Sequence, residues 1–314
     1  MKTFLVHRLL LTCVTLFGMS VLIFVLLRLA PGNIVDILFE SAGYVDPSDR
    51  KVIEKELGMD RPYHVQYLTW MGGLLQGDLG KSYRLERKAI DVIAPRIPVT
   101  LQLAFWAIMV SVLLGVPVGV ISAVKQDTWI DYVVRIVSLS GLSMPAFWLA
   151  LLIILFMVFT FGTTPIYLAE PKNFSQYLIL IGIPACAVGF RSSALIARLT
   201  RSSMLEVLRQ DYIRTARAKG QHEQKVNYHH ALKNAMLPVI TVIGIEFAFL
   251  IGGLVVTETV FNIPGVARFL VQAILYRDYP IVQNLVMLIG IIVVFANFVV
   301  DLIYVWLDPR IQLS

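Results

Sequence analysis

The sequence predicts an all-α polytopic membrane protein with six transmembrane helices, and three observations carry that prediction. The 314 residues are 57% hydrophobic and 15% charged, with a mean hydropathy of +0.74, whereas a soluble domain carries about a quarter charged residues. Six stretches reach the roughly 20 apolar residues that a helix needs to cross the hydrocarbon core. The formal net charge of +6 is concentrated in one place. Between Ala187 and Pro238, nine Lys/Arg face only Glu206, Asp211 and Glu223, which accounts for the whole excess. Basicity confined to one loop of a membrane protein needs no nucleic-acid partner.

The first apolar run, Leu9 to Leu29, follows Lys2, His7 and Arg8. It is too long for a signal peptide, and Pro31 follows Ala30 at the only plausible cleavage point, so it reads as a retained span. Arg28 at its far end can snorkel to the interface. The second span runs from about Pro98 to Val124 and the third from about Ile136 to Gly162, interrupted by Pro145. The fourth starts near Tyr177, passes Pro184 and emerges at Arg191 or Arg198. The fifth, Val239 to Thr257, contains Glu246, and the sixth runs from Ile281 to about Leu307 with Asp301 near its end. Lys/Arg in short loops set orientation. With a cytoplasmic N-terminus, the turn at Lys125, the basic stretch and the tail with Arg310 all lie inside, giving an N-in, C-in topology. The chain then divides into residues 1–30 (cytoplasmic N-terminus and first span), 31–97 (extracytoplasmic) and 98–314 (a five-helix core including the cytoplasmic stretch 199–238).

The outer segment holds nine bases and ten acids, a balance that leaves orientation to the shorter loops. Within it, "DPSDRKVIEKELG" reads as a short amphipathic helix capped by Asp46 or Ser48 and stopped at Gly58. "RPYHVQYLTWMGGLLQ" reads as a second, aromatic-rich interfacial helix. Both suit either a lid on the spans or a docking platform.

Several chemistries are excluded. "GDLGKS" at 77–82 lacks the Gly that a P-loop needs five residues before its Gly-Lys-Ser, because position 75 is Leu. No HExxH, no GxSxG and no paired His/Asp cluster lies in the spans, so an intramembrane enzyme has no catalytic pair. Cys13 and Cys186 sit in apolar runs without ligand spacing and read as small core residues, not as a disulfide or metal site. Glu246 is the acid well inside a span, which makes it a candidate proton site or path lining; the competing reading is a carboxyl hydrogen-bonded within the bundle. Pro117, Pro145 and Pro184 bend helices, and Gly252 and Gly253 loosen another. Such breaks line cavities in transporters, which makes Pro145, Glu246, Gly252 and Gly253 candidates for a translocation path.

The basic stretch "LTRSSMLEVLRQDYIRTARAKG" reads as the fourth span continuing into water, with Leu205, Leu208, Tyr212 and Ala216 at helical spacing. Gly220 stops the helix. A second helix with Val226, Leu232, Ala235 and Met236 follows, and Pro238 marks the start of span five.

These residues resemble the cytoplasmic loop of the inner-membrane permease subunits of ABC importers, whose pattern is Glu-Ala-Ala-x-x-x-Gly and later Ile-x-Leu-Pro. Here Arg214, Thr215 and Ala216 precede Gly220, and Ala235, Met236, Leu237 and Pro238 follow. Arg214 and Thr215 depart from the general pattern but match the peptide-importer branch, as does the whole of Tyr212 to Gly220. "RLAPGN" (with Asn33 where Asp is usual), "LGMDRPYHVQYLTW", "GDLGKS" and "ETVFNIPGVARFLVQAILYRDYP" (with Ala267 where Gly is usual) resemble segments of that branch's first permease subunit, in order along the chain.

The resemblance implies an ABC importer permease fold with a cytoplasmic coupling helix, located in the bacterial cytoplasmic membrane. It implies a homologous second permease subunit, two cytoplasmic ATPases that bind ATP and Mg, and an extracytoplasmic solute-binding protein. This chain itself holds no cofactor or metal and is no enzyme. Arg214, Thr215, Ala216, Arg217, Ala218, Lys219 and Gly220 would form the ATPase-coupling element, with Ala216 and Gly220 permitting close approach. The solutes implied are di- or oligopeptides or related small molecules. The rival from another class is a stand-alone proton-coupled carrier that uses Glu246.

Overall fold

The computed structural model describes residues 2–29, 35–36, 47–56 and 58–307, and among them the architecture is helical throughout apart from one isolated bridge between Lys81 and Lys88. Asp46 and Asn33 lie outside the described residues. Five helical stretches are long and apolar enough to cross a membrane: 10–29, 89–124, 174–208, 223–253 and 279–300. A sixth candidate is a pair, Trp129–Ser143 and Ala146–Phe161, bent by 104°. The third span predicted over Ile136–Gly162 is therefore not one straight helix. Met144 and Pro145 both adopt extended backbone, because a residue before proline is pushed out of the helical region and the proline ring blocks continuation.

The chain forms two compact units, residues 1–100 with 264–294 and residues 101–263 with 295–314. In the first, helix α1 (Lys2–Leu29) is followed by α2 (Pro47–Glu56), α3 (Tyr63–Leu75) and α4 (Ala89–Ile93). Helix α2 closes as expected at Gly58, which takes φ +68° while Met59 N–H bonds back to the Glu54 carbonyl. The aromatic face of α3 lies on α1: Tyr67 and Trp70 surround Phe24 with ring centroids 5.3 and 6.4 Å away, and the Tyr67 hydroxyl meets Ser20 Oγ at 2.8 Å. The second outer helix thus packs on the first span. Ala89, Val92 and Ile93 then join Val266, Phe269, Ile281 and Leu285 in a buried core.

In the second unit, a helix over Ile97–Val124 (α5) crosses a helix over Ile183–Leu208 (α9) at near-backbone distance. A Cβ at Gly119 would lie 2.5 Å from the Ala197 carbonyl, and one at Gly189 would lie 2.6 Å from that of Ala107. Ser111 Oγ donates to the Gly189 carbonyl at 3.0 Å. Gly115 and Gly119 form a GxxxG pair, the small-residue seam that lets membrane helices approach closely. The bent pair supplies α6 (Trp129–Ser143) and α7 (Ala146–Phe161), and a short helix α8 (Phe174–Tyr177) leads through a π-helical turn at Leu178–Gly182 into α9. The register shift immediately precedes Pro184, which has no N–H to give.

Two further expectations are corrected here. The helix does not run on from span four to Gly220: α9 ends at Leu208, and a separate α10 spans Asp211–Ala218. Pro238, read as the entry to span five, does not interrupt the helix that precedes it. It lies inside a continuous helix that begins at Glu223–Lys225 (α11), passes a π turn and extends over Leu232–Gly253 (α12). Cys13 and Cys186 are exposed on their helices, not buried. The remaining helices are α13 (Val255–Val260), α14 (Val266–Leu275) and α15 (Tyr279–Leu307).

Candidate functional site

The basic stretch folds into a clamped helical knob. Helix α9 stops where Arg209 and Gln210 N–H groups bond to Glu206 and Val207 carbonyls, and extended backbone at Gln210 turns the chain. Asp211 then opens α10 where a negative charge complements the helix dipole. Eight residues are too few for a helix to persist alone, so tertiary anchors decide. Ile213 is fully buried against Val120 and Ala123 of α5, Met204 of α9 and Val226, Ala231 and Ala235 of the next helix, with half-buried Ala216 beside it. Asn234 Nδ2 donates to the Tyr212 hydroxyl at 2.7 Å.

The far end is closed by two backbone bonds, Gly220 N–H to the Arg217 carbonyl and Gln221 N–H to that of Ala216, with Gly220 at φ +73°. This double closure needs a left-handed residue, which glycine adopts without strain. Arg217 then grips Glu223 with two bonds of 2.9 and 3.3 Å, joining α10 to α11. Of the seven residues singled out in sequence, Ala216 thus faces the bundle and Arg217 is paired within the chain. Arg214, Thr215, Ala218, Lys219 and Gly220 are exposed. Asp211, Arg214, Thr215 and Ala218 form one outward stripe at i, i+3, i+4 and i+7.

Beneath the knob lies a polar node that sequence reading missed. Asp131 of α6 is fully buried and accepts Arg201 Nε at 2.7 Å, Arg201 Nη2 at 2.8 Å, Ser122 Oγ at 2.5 Å and the Asp127 N–H at 3.1 Å. A buried charge survives when paired bidentately and saturated with donors. This one ties α5, α6 and α9 together. The only hint in the sequence is an acid just past the short turn at Lys125; its Arg partner is 70 residues away.

The candidate path residues are dispersed. Pro145 makes the 104° bend. Glu246 on α12 accepts a 2.7 Å hydrogen bond from the buried Ser192 of α9. Gly252 and Gly253 are exposed at the end of α12.

"GDLGKS" has a structural use. The Ser82 hydroxyl donates to the buried Asp278 carboxylate, which also accepts the Tyr83 N–H at 3.1 Å and the Arg84 N–H at 3.4 Å, while Leu85 N–H donates to Ser82 Oγ at 2.9 Å. The turn that imitates a phosphate cradle holds a carboxylate of its own chain. Burial also pushes the Tyr83 hydroxyl above its ordinary pKa, so that it stays neutral.

Comparison with known proteins gives the class. Residues 115–313 match the family described as the inner membrane component of binding-protein-dependent transport systems, and residues 1–104 match its N-terminal counterpart. The chain belongs to this family and is a multi-pass inner-membrane permease subunit of an ABC importer. It is 40% identical over 336 residues to the dipeptide transport system permease protein DppB of Alkalihalophilus pseudofirmus, which covers 99% of this chain and 100% of that one. It is 39% identical to the di/tripeptide transport system permease protein DppB of Pseudomonas aeruginosa, covering 99% of both. An inward-facing structure of the MetNI methionine ABC transporter superimposes with a TM-score of 0.56 at 20% identity, over 70% of this chain and 97% of that one, which shows the shared fold.

Proposed function

We propose that this permease forms one half of a translocation path for di- or oligopeptides and couples it to cytoplasmic ATPases through α10. The observation that carries this reading is a short helix with an exposed stripe, fastened by Ile213, Tyr212 and Arg217 to the helices on both sides of it. Those helical stretches span 35 and 31 residues, or roughly 50 and 45 Å at 1.5 Å per residue, against about 30 Å of hydrocarbon. Both overshoot the bilayer, so a knob at their ends can reach a soluble partner. A push on a rigid knob becomes a rocking of the bundle, the motion that alternating access requires.

In this scheme the bent pair counts as one span, making six, with both termini inside. The five-helix core over 98–314 pairs with a second homologous permease subunit. Two ATPases hold ATP and Mg, this chain holding neither, and a solute-binding protein docks on the outer face. The names of the two relatives support peptides as the solute class. The proton-coupled carrier is the weaker reading, because Glu246 is engaged by Ser192.

Gly220→Glu tests the coupling role. A side chain at Gly220 meets open space but must take the left-handed backbone at φ +73°, a strain of about 1–2 kcal/mol, so the variant should still reach the membrane, and uptake is normalised to its amount on an immunoblot of membrane fractions. Peptide uptake into cells should fall at least tenfold while ATP hydrolysis by the assembled transporter continues. Unchanged uptake would refute the role given to α10.

A further inference from the structure

A cleft of about 810 Å³ opens in the first unit, and two of the residues that line it carry buried donors with no partner. Gln283 of α15, only 3% exposed, lines it, and its Nε2 has no hydrogen-bond partner. Arg28 of α1 lines it too, and its Nε is likewise buried without a partner. The rest of that guanidinium is held in place: it lies 3.6 Å from the centre of the Phe24 ring and donates to Gln66 Oε1 at 3.1 Å. No carboxylate pairs with it among the described residues. The three acids of the cleft, Glu56, Asp78 and Glu86, are exposed, and Arg61 and Lys81 line it beside them.

A guanidinium whose buried Nε lacks a partner and a buried amide donor without an acceptor are each costly. Two such orphans in one cavity call for the same complement, a compact group with several acceptor oxygens and a negative charge. Arg is well suited to such a group, because its fork matches carboxylate and phosphate geometry.

We propose that this cleft is a binding site for an oxyanion, held by Arg28 and Gln283. The carboxylate of a small solute and the phosphate of a lipid headgroup share this chemistry. Trp70 and Pro280 in the same lining offer apolar surface to whatever carries the oxyanion. The site is separate from α10 and does not depend on the coupling role.

The test uses the full chain purified in detergent and stripped of lipid, with thermal unfolding followed at constant ionic strength. Inorganic phosphate is one probe and phosphatidylglycerol the other, with phosphatidylcholine and chloride as references. The wild type should show a saturable rise in unfolding temperature with at least one probe, and the responding probe identifies the source. Because phosphate stabilises proteins generally by exclusion from their surface, the variants are decisive. Gln283→Leu should weaken half-saturation at least tenfold without lowering the ligand-free unfolding temperature, since it removes an unpaired donor. Arg28→Gln should abolish the response, and Gln283→Leu keeps the test valid if that variant does not fold. No saturable response to either probe, or an equal response in Gln283→Leu, would overturn the proposal.

Discussion

At the scale of single residues, position and chemistry were legible to different degrees. Gly220 stands at the end of a periodic basic run, and the left-handed backbone there follows from the two carbonyls that the helix end must satisfy. Asp131 was not legible in this way, because the sequence gives no sign that Ser122 and Arg201 converge on it. Pairing in the interior also sets the consequence of losing a partner. Arg201→Met takes from the fully buried Asp131 its bidentate partner and leaves only the partly exposed Arg135 at 3.8 Å, and removing one member of such a pair costs up to about 3–5 kcal/mol. Thermal unfolding of the purified variant should show a destabilisation of that order. A loss below about 1 kcal/mol, the range of surface pairs, would mean that the node is solvated.

At the scale of elements, the long apolar runs were legible in the sequence, but the short apolar helix Val266–Leu275 and the break at Gln210 were not. Leu205, Leu208, Tyr212 and Ala216 have continuous helical spacing, yet the chain turns at Gln210, and the side chain that enters the core is Ile213. Periodicity ranks faces but cannot detect a break that keeps both halves amphipathic. The interruption at Pro145 was legible, but not its size of 104°, because the apolar flanks suit a kinked span as well as two short helices. The anchor predicts how α10 fails. Ile213→Asp places a charge in an apolar cluster, where it costs several kcal/mol, so α10 should leave its seat. Trypsin added to inside-out vesicles should then cut at Arg214, Arg217 or Lys219 at least tenfold faster than in the wild type; an unchanged cleavage rate would show that Ile213 is not the anchor. The α5–α9 seam is equally specific. Gly119→Leu would drive a side chain into the Ala197 carbonyl and the Thr200 side chain, and backbone cannot yield cheaply. The variant should fail to accumulate in the membrane, as an immunoblot of membrane fractions would show. Normal abundance would indicate that the helices can separate there without loss.

At the scale of the whole molecule, the account joins a membrane bundle to a partner that supplies energy. The class was legible because several motifs recur in order over nearly the whole chain, and the family match over residues 115–313 and 1–104 agrees with it. What composition and periodicity left open is how the proposed coupling helix is held, since that depends on tertiary anchors around eight residues. The node at Asp131 extends those anchors into α6, and with it into the bent pair. The most direct measurement is mild-detergent affinity purification of this chain from its own host, with co-purifying proteins identified by mass spectrometry. The account predicts a second homologous permease together with one or two ATPase subunits. Recovery of this chain alone, in every detergent that preserves its fold, would contradict it.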